Sequence, residues 1–374
     1  MKKEQGNKDN PNTHDTHDTP NIQDVQGIQG IPDVPDIREL LPEELAGLMG
    51  ELGEPAYRGG QLFSWLHKEA LSDYQQMTNL SKPLRRLLEE RFPPARPELL
   101  RLQESADGTK KYLFALTDGQ RIESVLMRHR EESGHIRHTV CLSSQAGCAM
   151  GCGFCATAVP GFRRNLRAGE IVGQLLEIAA VEQIEIHNAV YMGMGEPLLN
   201  EEAVKRSIRL LHQPLGRDMS YRRMTVSTCG IPEGILRMAE WDMDTVLAVS
   251  LHAADDETRS RLMPVNRRYP LRELLQACRA YQAKRGGRIT FEYIMIKDIN
   301  MAEGTAATLN ALLKGILCHI NLIPVNPGFH HFVCPDKREQ AHFRQELQRA
   351  GLDAVIRQER GEDIQGACGQ LAVC

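Results

Sequence analysis

"CLSSQAGCAMGCGFC" (Cys141–Cys155) carries four cysteines in fifteen residues. Cys148, Cys152 and Cys155 are spaced C-x3-C-x2-C, and Cys141 stands seven residues ahead of them. Three thiolates on one short loop can grip a metal centre and leave one coordination position unfilled by protein. Structural zinc takes four protein ligands, usually from paired C-x2-C units. An iron–sulfur cube also takes four, often from closely spaced cysteines, and with three supplied one iron stays open to an exogenous ligand. A zinc site completed by Cys141 or a distant cysteine is the competing reading of the same spacing.

Outward from this loop the chain has a rhythm. Apolar, strand-like runs recur in "VCLSS", "NAVYMGMG", "MTVSTCG", "TVLAVSLH", "ITFEYIMI" and "HINLIPVNP", with helical stretches between them at 168–183, 200–213, 232–241, 271–285 and 303–317. Strands alternating with helices predict an α/β fold with a parallel sheet. About six βα units suit a partial or complete TIM-like (β/α)6 barrel, whose chemistry sits at the C-terminal ends of the strands. The candidate functional residues fall at those ends: Cys148, Glu196, Ser227, His252 and Asn326.

Ahead of the barrel, "LPEELAGLMGELG", "RGGQLFSWLHKEA" and "LSKPLRRLLEERF" space Leu, Met, Phe and Trp at helical intervals. They predict a small N-terminal helical accessory domain over 37–95. Two-residue alternations broken by Asp107-Gly108 and Asp118-Gly119 predict a strand meander over 96–138 that leads into a core spanning 139–374. Residues 1–36, with "THDTHDT" and "IQDVQGIQGIPDVPD", lack the apolar periodicity of a core and read as a disordered polar tail.

Composition excludes several classes. Hydrophobic content of 41% and charged content of 25% in 374 residues are those of an ordinary soluble protein. No apolar run approaches the roughly 20 residues of a membrane span, and the N-terminus is polar rather than a charged-then-apolar signal sequence. A cytoplasmic location is therefore expected. There thiols stay reduced, so ten cysteines point to metal or catalytic chemistry before a disulfide framework. The net charge of −4 resides in the tail, and residues 37–374 balance 42 basic against 42 acidic side chains. A globally basic nucleic-acid binder is excluded, whereas local clusters remain: Arg163, Arg164 and Arg167; Arg222 and Arg223; Arg267 and Arg268; Lys82, Arg85 and Arg86. Cys368, flanked by Gly366, Ala367 and Gly369 near the C-terminus, reads as a thiol on a segment with freedom to move.

The cysteine loop, with Phe154 before its last Cys, resembles the signature of radical S-adenosylmethionine enzymes. "YMGMGEPLLN", "VSLHAADDETR", "INLIPVNP" and "GEDIQGACGQL", with "LGEPAYRGGQLFSWLHK" and "MTNLSKPLRR" in the helical unit, narrow the resemblance to the radical S-adenosylmethionine RNA adenine methyltransferases, the RlmN/Cfr family. It runs from about Leu40 to Leu371. It implies a [4Fe–4S] cluster on Cys148, Cys152 and Cys155, and two S-adenosylmethionine molecules per turnover. Contacts to that cofactor are implied for Gly195, Glu196, Ser227, Ser250, Leu251, His252 and Asn326. Cys368 is implied to carry the methyl as S-methylcysteine, Cys141 to release product by forming a Cys141–Cys368 disulfide, and Glu123 to accept the ring proton. The implied substrate is an adenine of 23S rRNA at the peptidyl-transferase centre, methylated at C2, and tRNA as well. C8 methylation of the same rRNA site, the antibiotic-resistance type, shares every one of these motifs. A reading of another class is a non-catalytic iron–sulfur or zinc binding protein. A flavodoxin or ferredoxin as electron donor and a monomeric state complete the expectation. Cys229 stands where the family usually has a small hydroxyl residue. Cys229, Cys278, Cys318, Cys334 and Cys374 match no catalytic position and are expected to be buried or incidental.

Overall fold

A computed structural model describes residues 36–93, 95–131, 133–326 and 332–372. The twelve strands among them are β1 (Glu98–Glu104), β2 (Lys110–Ala115), β3 (Arg121–Arg130), β4 (Ile136–Cys141), β5 (Gln145–Ala146), β6 (Arg164–Asn165), β7 (Asn188–Tyr191), β8 (Met224–Thr228), β9 (Val246–Ser250), β10 (Ile289–Met295), β11 (Cys318–Pro324) and β12 (Ala354–Ile356). Ten form one sheet in the order β1-β2-β3-β4-β7-β8-β9-β10-β11-β12, and β5 pairs with β6 alone. From β4 to β12 every neighbour is parallel. The sheet stays open, with β1 and β12 at its edges, so the parallel part is the partial barrel that the strand–helix rhythm predicts.

The six expected strands are β4 and β7 to β11, and β12 is a seventh parallel strand. Helices Ala168–Glu182, Glu201–His212, Pro232–Met238, Leu271–Arg285 and Thr305–Leu313 fill the expected intervals. Asp256–Leu262 and Lys337–Arg349 add two more. Their sequences follow the packing. In Glu201–His212 the buried Val204, Ile208 and Leu211 recur at helical spacing, with Glu201 and Glu202 at its positive end and Arg209 and His212 at its negative end.

The meander is not a separate layer. Gly108 and Gly119 turn it at φ +80° and +81°, and β3 then pairs antiparallel with β4, extending the barrel sheet. The helical unit is likewise built into the whole. Helices Pro42–Glu51, Tyr57–Phe63 and Lys82–Arg91 bury Leu45, Met49, Leu62, Phe63, Leu84 and Leu88. These join one continuous core with Ile171, Leu175 and Ile178 of the first barrel helix. Asp36, which the sequence places last in the tail, belongs to the folded chain: it is buried and pairs with the buried Arg38 guanidinium at 2.8 Å. The rest of the tail lies outside the described residues.

Candidate active site

The cysteine loop hangs from the C-terminal end of β4 and is pinned from three sides. Gly147 precedes Cys148 at φ +73°, and a Cβ there would fall 1.8 Å from the Gly161 carbonyl oxygen. The N–H of Gly153 donates to the Leu262 carbonyl at 2.8 Å, and that of Ala156 to the Gly369 carbonyl at 2.7 Å. Ala149 and Met150 sit in a second small apolar core with Leu262, Met263, Ile294 and Val325, and Cys148, Cys152 and Phe154 pack against it. All three loop cysteines are free thiols. Burial foremost pushes each thiol up, Cys148 to about 12.

A cavity opens against this loop. Cys148, Cys152, Cys155, Gly195, Glu196, Ser227, Ser250 and His252 line it, with Glu292 and Cys368. The strand ends β7, β8 and β9 thus converge as predicted. The buried Glu196 carboxylate accepts the N–H of Leu198 at 3.0 Å and of Cys229 at 2.7 Å. The side chains of Cys229 and Thr228 also hydrogen-bond this carboxylate. Cys229 meets this carboxylate through its side chain as well as its backbone N–H, and a Ser or Thr there would keep the backbone contact. His252 holds φ +60°, and its Nδ1 accepts the Ile294 N–H at 3.0 Å. Its ring meets Phe154 edge-on at 4.8 Å. Burial, then the charge of Arg259, lowers the imidazole to about 3, so it is neutral with its proton on Nε2.

Three placements differ from a plain contact list. A Cβ on Gly195 would lie 2.5 Å from Gln145, so this glycine is required by the strand behind it, as well as lining the cavity. Leu251 turns its side chain wholly into the core and offers its carbonyl to Arg259 Nε at 3.1 Å. That buried arginine also holds the Cys229 and Ser250 carbonyls at 2.8 and 3.0 Å, tying the ends of β8 and β9 together. Asn326 lines a neighbouring cavity and donates to the Cys368 carbonyl at 3.2 Å.

The neighbouring cavity holds the two remaining thiols of interest. Cys141, at the end of β4, and Cys368 both line it, and both are free. Cys368 lines the cofactor cavity too, so it alone of the two thiols faces both spaces. Arg357, a residue that sequence reading missed, lines the same cavity. Its Nη1 lies 3.8 Å from Cys368 Sγ. Burial, then the charge of Cys368, pushes the Cys141 thiol up to about 12, and Arg357 opposes that rise. Glu123 lies outside both linings, deeply buried on β3. Its carboxylate meets Lys111 Nζ at 3.3 Å and accepts the Ala372 N–H at 2.8 Å.

Residues 36–93 match the ribosomal RNA large subunit methyltransferase N-terminal domain, and residues 142–309 match the Radical SAM superfamily. A probable dual-specificity RNA methyltransferase RlmN of Heliobacterium modesticaldum is 47% identical, over 89% of this chain and 88% of that protein. One of Moorella thermoacetica is 47% identical over 89% of this chain and 96% of that one. This chain belongs to the radical SAM RNA methyltransferases. The crystal structure of a radical SAM methyltransferase from Sphaerobacter thermophilus, 43% identical, superposes with a TM-score of 0.86 over 91% of this chain and 99% of that one.

The donor set fits the cofactors of a radical SAM methyltransferase. Among the described residues no three His, Cys, Asp or Glu side chains could hold a single metal ion. A zinc site needs that convergence on one point, whereas a cubane takes each thiolate on its own iron. Buried thiols raised by desolvation are inert until a metal deprotonates them. The apolar packing around the loop shields such a centre from water.

The basic clusters divide. Arg164 is buried and locked to Asp118 at 2.6 Å and Glu170 at 2.8 Å, so its charge is spent inside the fold. Arg222 and Arg223 are exposed but precede β8, at the end of the sheet opposite the site. Arg163, Arg267 and Arg268 are exposed; Arg163 donates its N–H to the carbonyl of Ala146 just ahead of the cysteine loop, and Pro264, three residues before Arg267, lies against Gly151 of that loop.

Proposed function

We propose that this enzyme methylates C2 of an adenine in 23S rRNA at the peptidyl-transferase centre, and of an adenine in tRNA, through a methyl carried on Cys368. The carrying observation is that Cys368 faces both the cofactor cavity and the cavity it shares with Cys141. A sensor or structural metal protein has no use for a thiol so placed. When bound, the cluster and S-adenosylmethionine supply a 5′-deoxyadenosyl radical. Cys148, Cys152 and Cys155 hold the cluster, and Glu196 takes the ammonium of the methionine moiety. Ser227, Ser250 and neutral His252 line its path, with Gly195 and the Leu251 backbone shaping the wall.

Cys368 takes the methyl from one S-adenosylmethionine by nucleophilic attack. The radical chemistry would move a hydrogen atom from that methyl to the 5′-deoxyadenosyl carbon, and the methylene left on Cys368 would join the ring, linking enzyme and RNA by a thioether. Glu123 accepts the ring proton, the unpaired electron left on the ring passes to a one-electron acceptor of the iron–sulfur or flavodoxin type, and Cys141 attacks Cys368 Sγ to release the product as a disulfide forms. Since Ala372 covers the Glu123 carboxylate, residues 366–372 have to shift before substrate reaches it. The glycines at 366 and 369 permit that movement.

C2 is favoured over C8 because the matched relatives are named for the RlmN activity. Flavodoxin or ferredoxin supplies the electron, and the enzyme works as a monomer in the cytoplasm. No helix among the described residues is long and apolar enough to cross a membrane. The test is mass analysis of digested rRNA and tRNA from a methyltransferase-null strain complemented with this chain. C2-methyladenosine in both supports the reading, and C8-methyladenosine or unmodified RNA overturns it.

A further inference from the structure

The charged and titratable groups that share a cavity with Cys141 and Cys368 are few: Arg357, Arg360, Glu359 and, on β3, His129. Burial foremost, then Arg360 and Arg357, lowers His129, which leaves the ring neutral near pH 7. Arg360 donates to the Arg128 backbone carbonyl at 2.9 Å and to the Gln358 side-chain Oε1 at 3.1 Å, so its guanidinium is turned to neighbouring groups. Arg357 is different. Its backbone N–H is fixed to the Leu322 carbonyl of β11 at 2.8 Å, immediately after β12, so the strand pairing sets where its side chain starts. From there Nη1 reaches Cys368 Sγ at 3.8 Å, and the guanidinium interacts with the charges of Cys368, Glu292 and Cys141. Glu292, on β10, lines the cofactor cavity; Asn321 donates to one carboxylate oxygen at 3.1 Å, and the other is buried without a hydrogen-bond partner.

Building on the two-thiol reading above, we propose that Arg357 is a positioning residue that holds whichever of the two sulfurs must react as a thiolate. It would hold Cys368 when that residue accepts its methyl, and Cys141 when the adduct is resolved. In the first step the Cys368 thiolate attacks the sulfonium methyl. The S–CH3 bond forms, the methyl–sulfonium bond breaks, and its electron pair leaves with the departing neutral thioether. Cys368 is then uncharged and its claim on Arg357 ends. In the second step the Cys141 thiolate attacks Cys368 Sγ. The S–S bond forms and the sulfur–methylene bond breaks, its pair passing to the methylene carbon, which takes a proton from solvent to become the methyl of the product. Two thiols are oxidised and the carbon is reduced by the same two electrons. A guanidinium 3.8 Å from Cys368 Sγ, in the cavity that Cys141 also lines, is placed to serve both steps. It is needed most by Cys141, whose burial otherwise keeps it a thiol.

The test uses anaerobically purified holoenzyme and its Arg357→Gln and Arg357→Lys variants, with iron content and visible absorption confirming the cluster in each. Iodoacetamide alkylation of Cys368, followed by peptide mass, should slow about tenfold in Arg357→Gln and recover in large part in Arg357→Lys, the loss of one nearby opposite charge. With tRNA as substrate, Arg357→Gln should accumulate thioether-linked RNA, and alkaline pH should speed its release more than it does in wild type. A merely structural role would not be reversed by pH. Wild-type alkylation and release rates in an Arg357→Gln protein with full iron would overturn the proposal. If Arg357→Gln does not fold, Arg357→Lys decides: a tenfold loss of Cys368 alkylation with native iron content overturns it. Failure of the underlying reading has a separate signature: Cys368 of the wild-type enzyme never carries a methyl, whatever its alkylation rate.

Discussion

His252 and His67 show how burial sets chemistry one side chain at a time. His67 Nε2 lies 3.1 Å from the Arg38 carbonyl and its ring stacks on Phe63 at 4.1 Å. Burial foremost lowers both imidazoles from 6.5 to about 3. An unfolded chain takes up a proton on each ring near 6.5, while the folded chain does not until about 3. Stability therefore falls as pH drops through that window, by up to about 1.4 kcal/mol per pH unit per histidine. Urea midpoints measured while acidifying from neutral pH should decline, and His67→Gln should flatten the decline; an unchanged slope would contradict this account. The cysteines act at the same scale. Cys152→Ala removes one ligand of three and should abolish the four-iron cluster in anaerobically prepared protein. Full zinc occupancy with S-adenosylmethionine binding untouched by the mutation would remove the radical reading.

At the scale of elements, the loop depends on one glycine as much as on its thiols. Gly147→Ala would place a methyl against the Gly161 carbonyl at a φ that L side chains rarely adopt, so the loop must distort. Iron content should drop severalfold while the far-UV circular dichroism of the barrel persists; native iron content would show that the loop tolerates the shift. The motif elements were legible because each carries its own signal: apolar runs for β4 and β7 to β11, and Asp-Gly turns for the meander. β12 was not, since Ala354, Val355 and Ile356 are too few for a period and are held only by pairing with β11, a non-local event. Arg357 was hidden for the same reason. In "AVIRQERGED" it reads as one more solvated charge until the strand in front of it is known. The covered carboxylate of Glu123 was equally out of reach, because Ala372 meets it from 249 residues away in sequence.

Over the whole molecule, the helical unit, meander and barrel share one sheet or one core, so the enzyme is expected to unfold as a unit. Removal of residues 1–35 should leave iron content and methylation nearly unchanged. Cutting one residue further, through Asp36, strands the buried Arg38 charge and should cost about 3–5 kcal/mol, read as a drop in unfolding midpoint. Equal midpoints for the two truncations would show that Asp36 is dispensable, and a large activity loss in the shorter cut would assign the tail a role with RNA. The division of basic residues belongs to this scale too. Reversing Arg267 and Arg268 to Glu should weaken RNA binding and its salt dependence, whereas reversing Arg222 and Arg223 should not.

The central claim is that Cys368 carries the methyl and Cys141 only releases the product. It is tested most directly by denaturing gels of Cys141→Ala, Cys368→Ala and the double variant, each purified with cellular RNA and run with and without nuclease. Resolution can matter only after attachment, so the losses should not add. Cys141→Ala should migrate as a nuclease-sensitive protein–RNA adduct linked through Cys368, while Cys368→Ala and the double variant carry no RNA. Cys141→Ala protein that runs free of RNA and methylates at the wild-type rate would contradict the account.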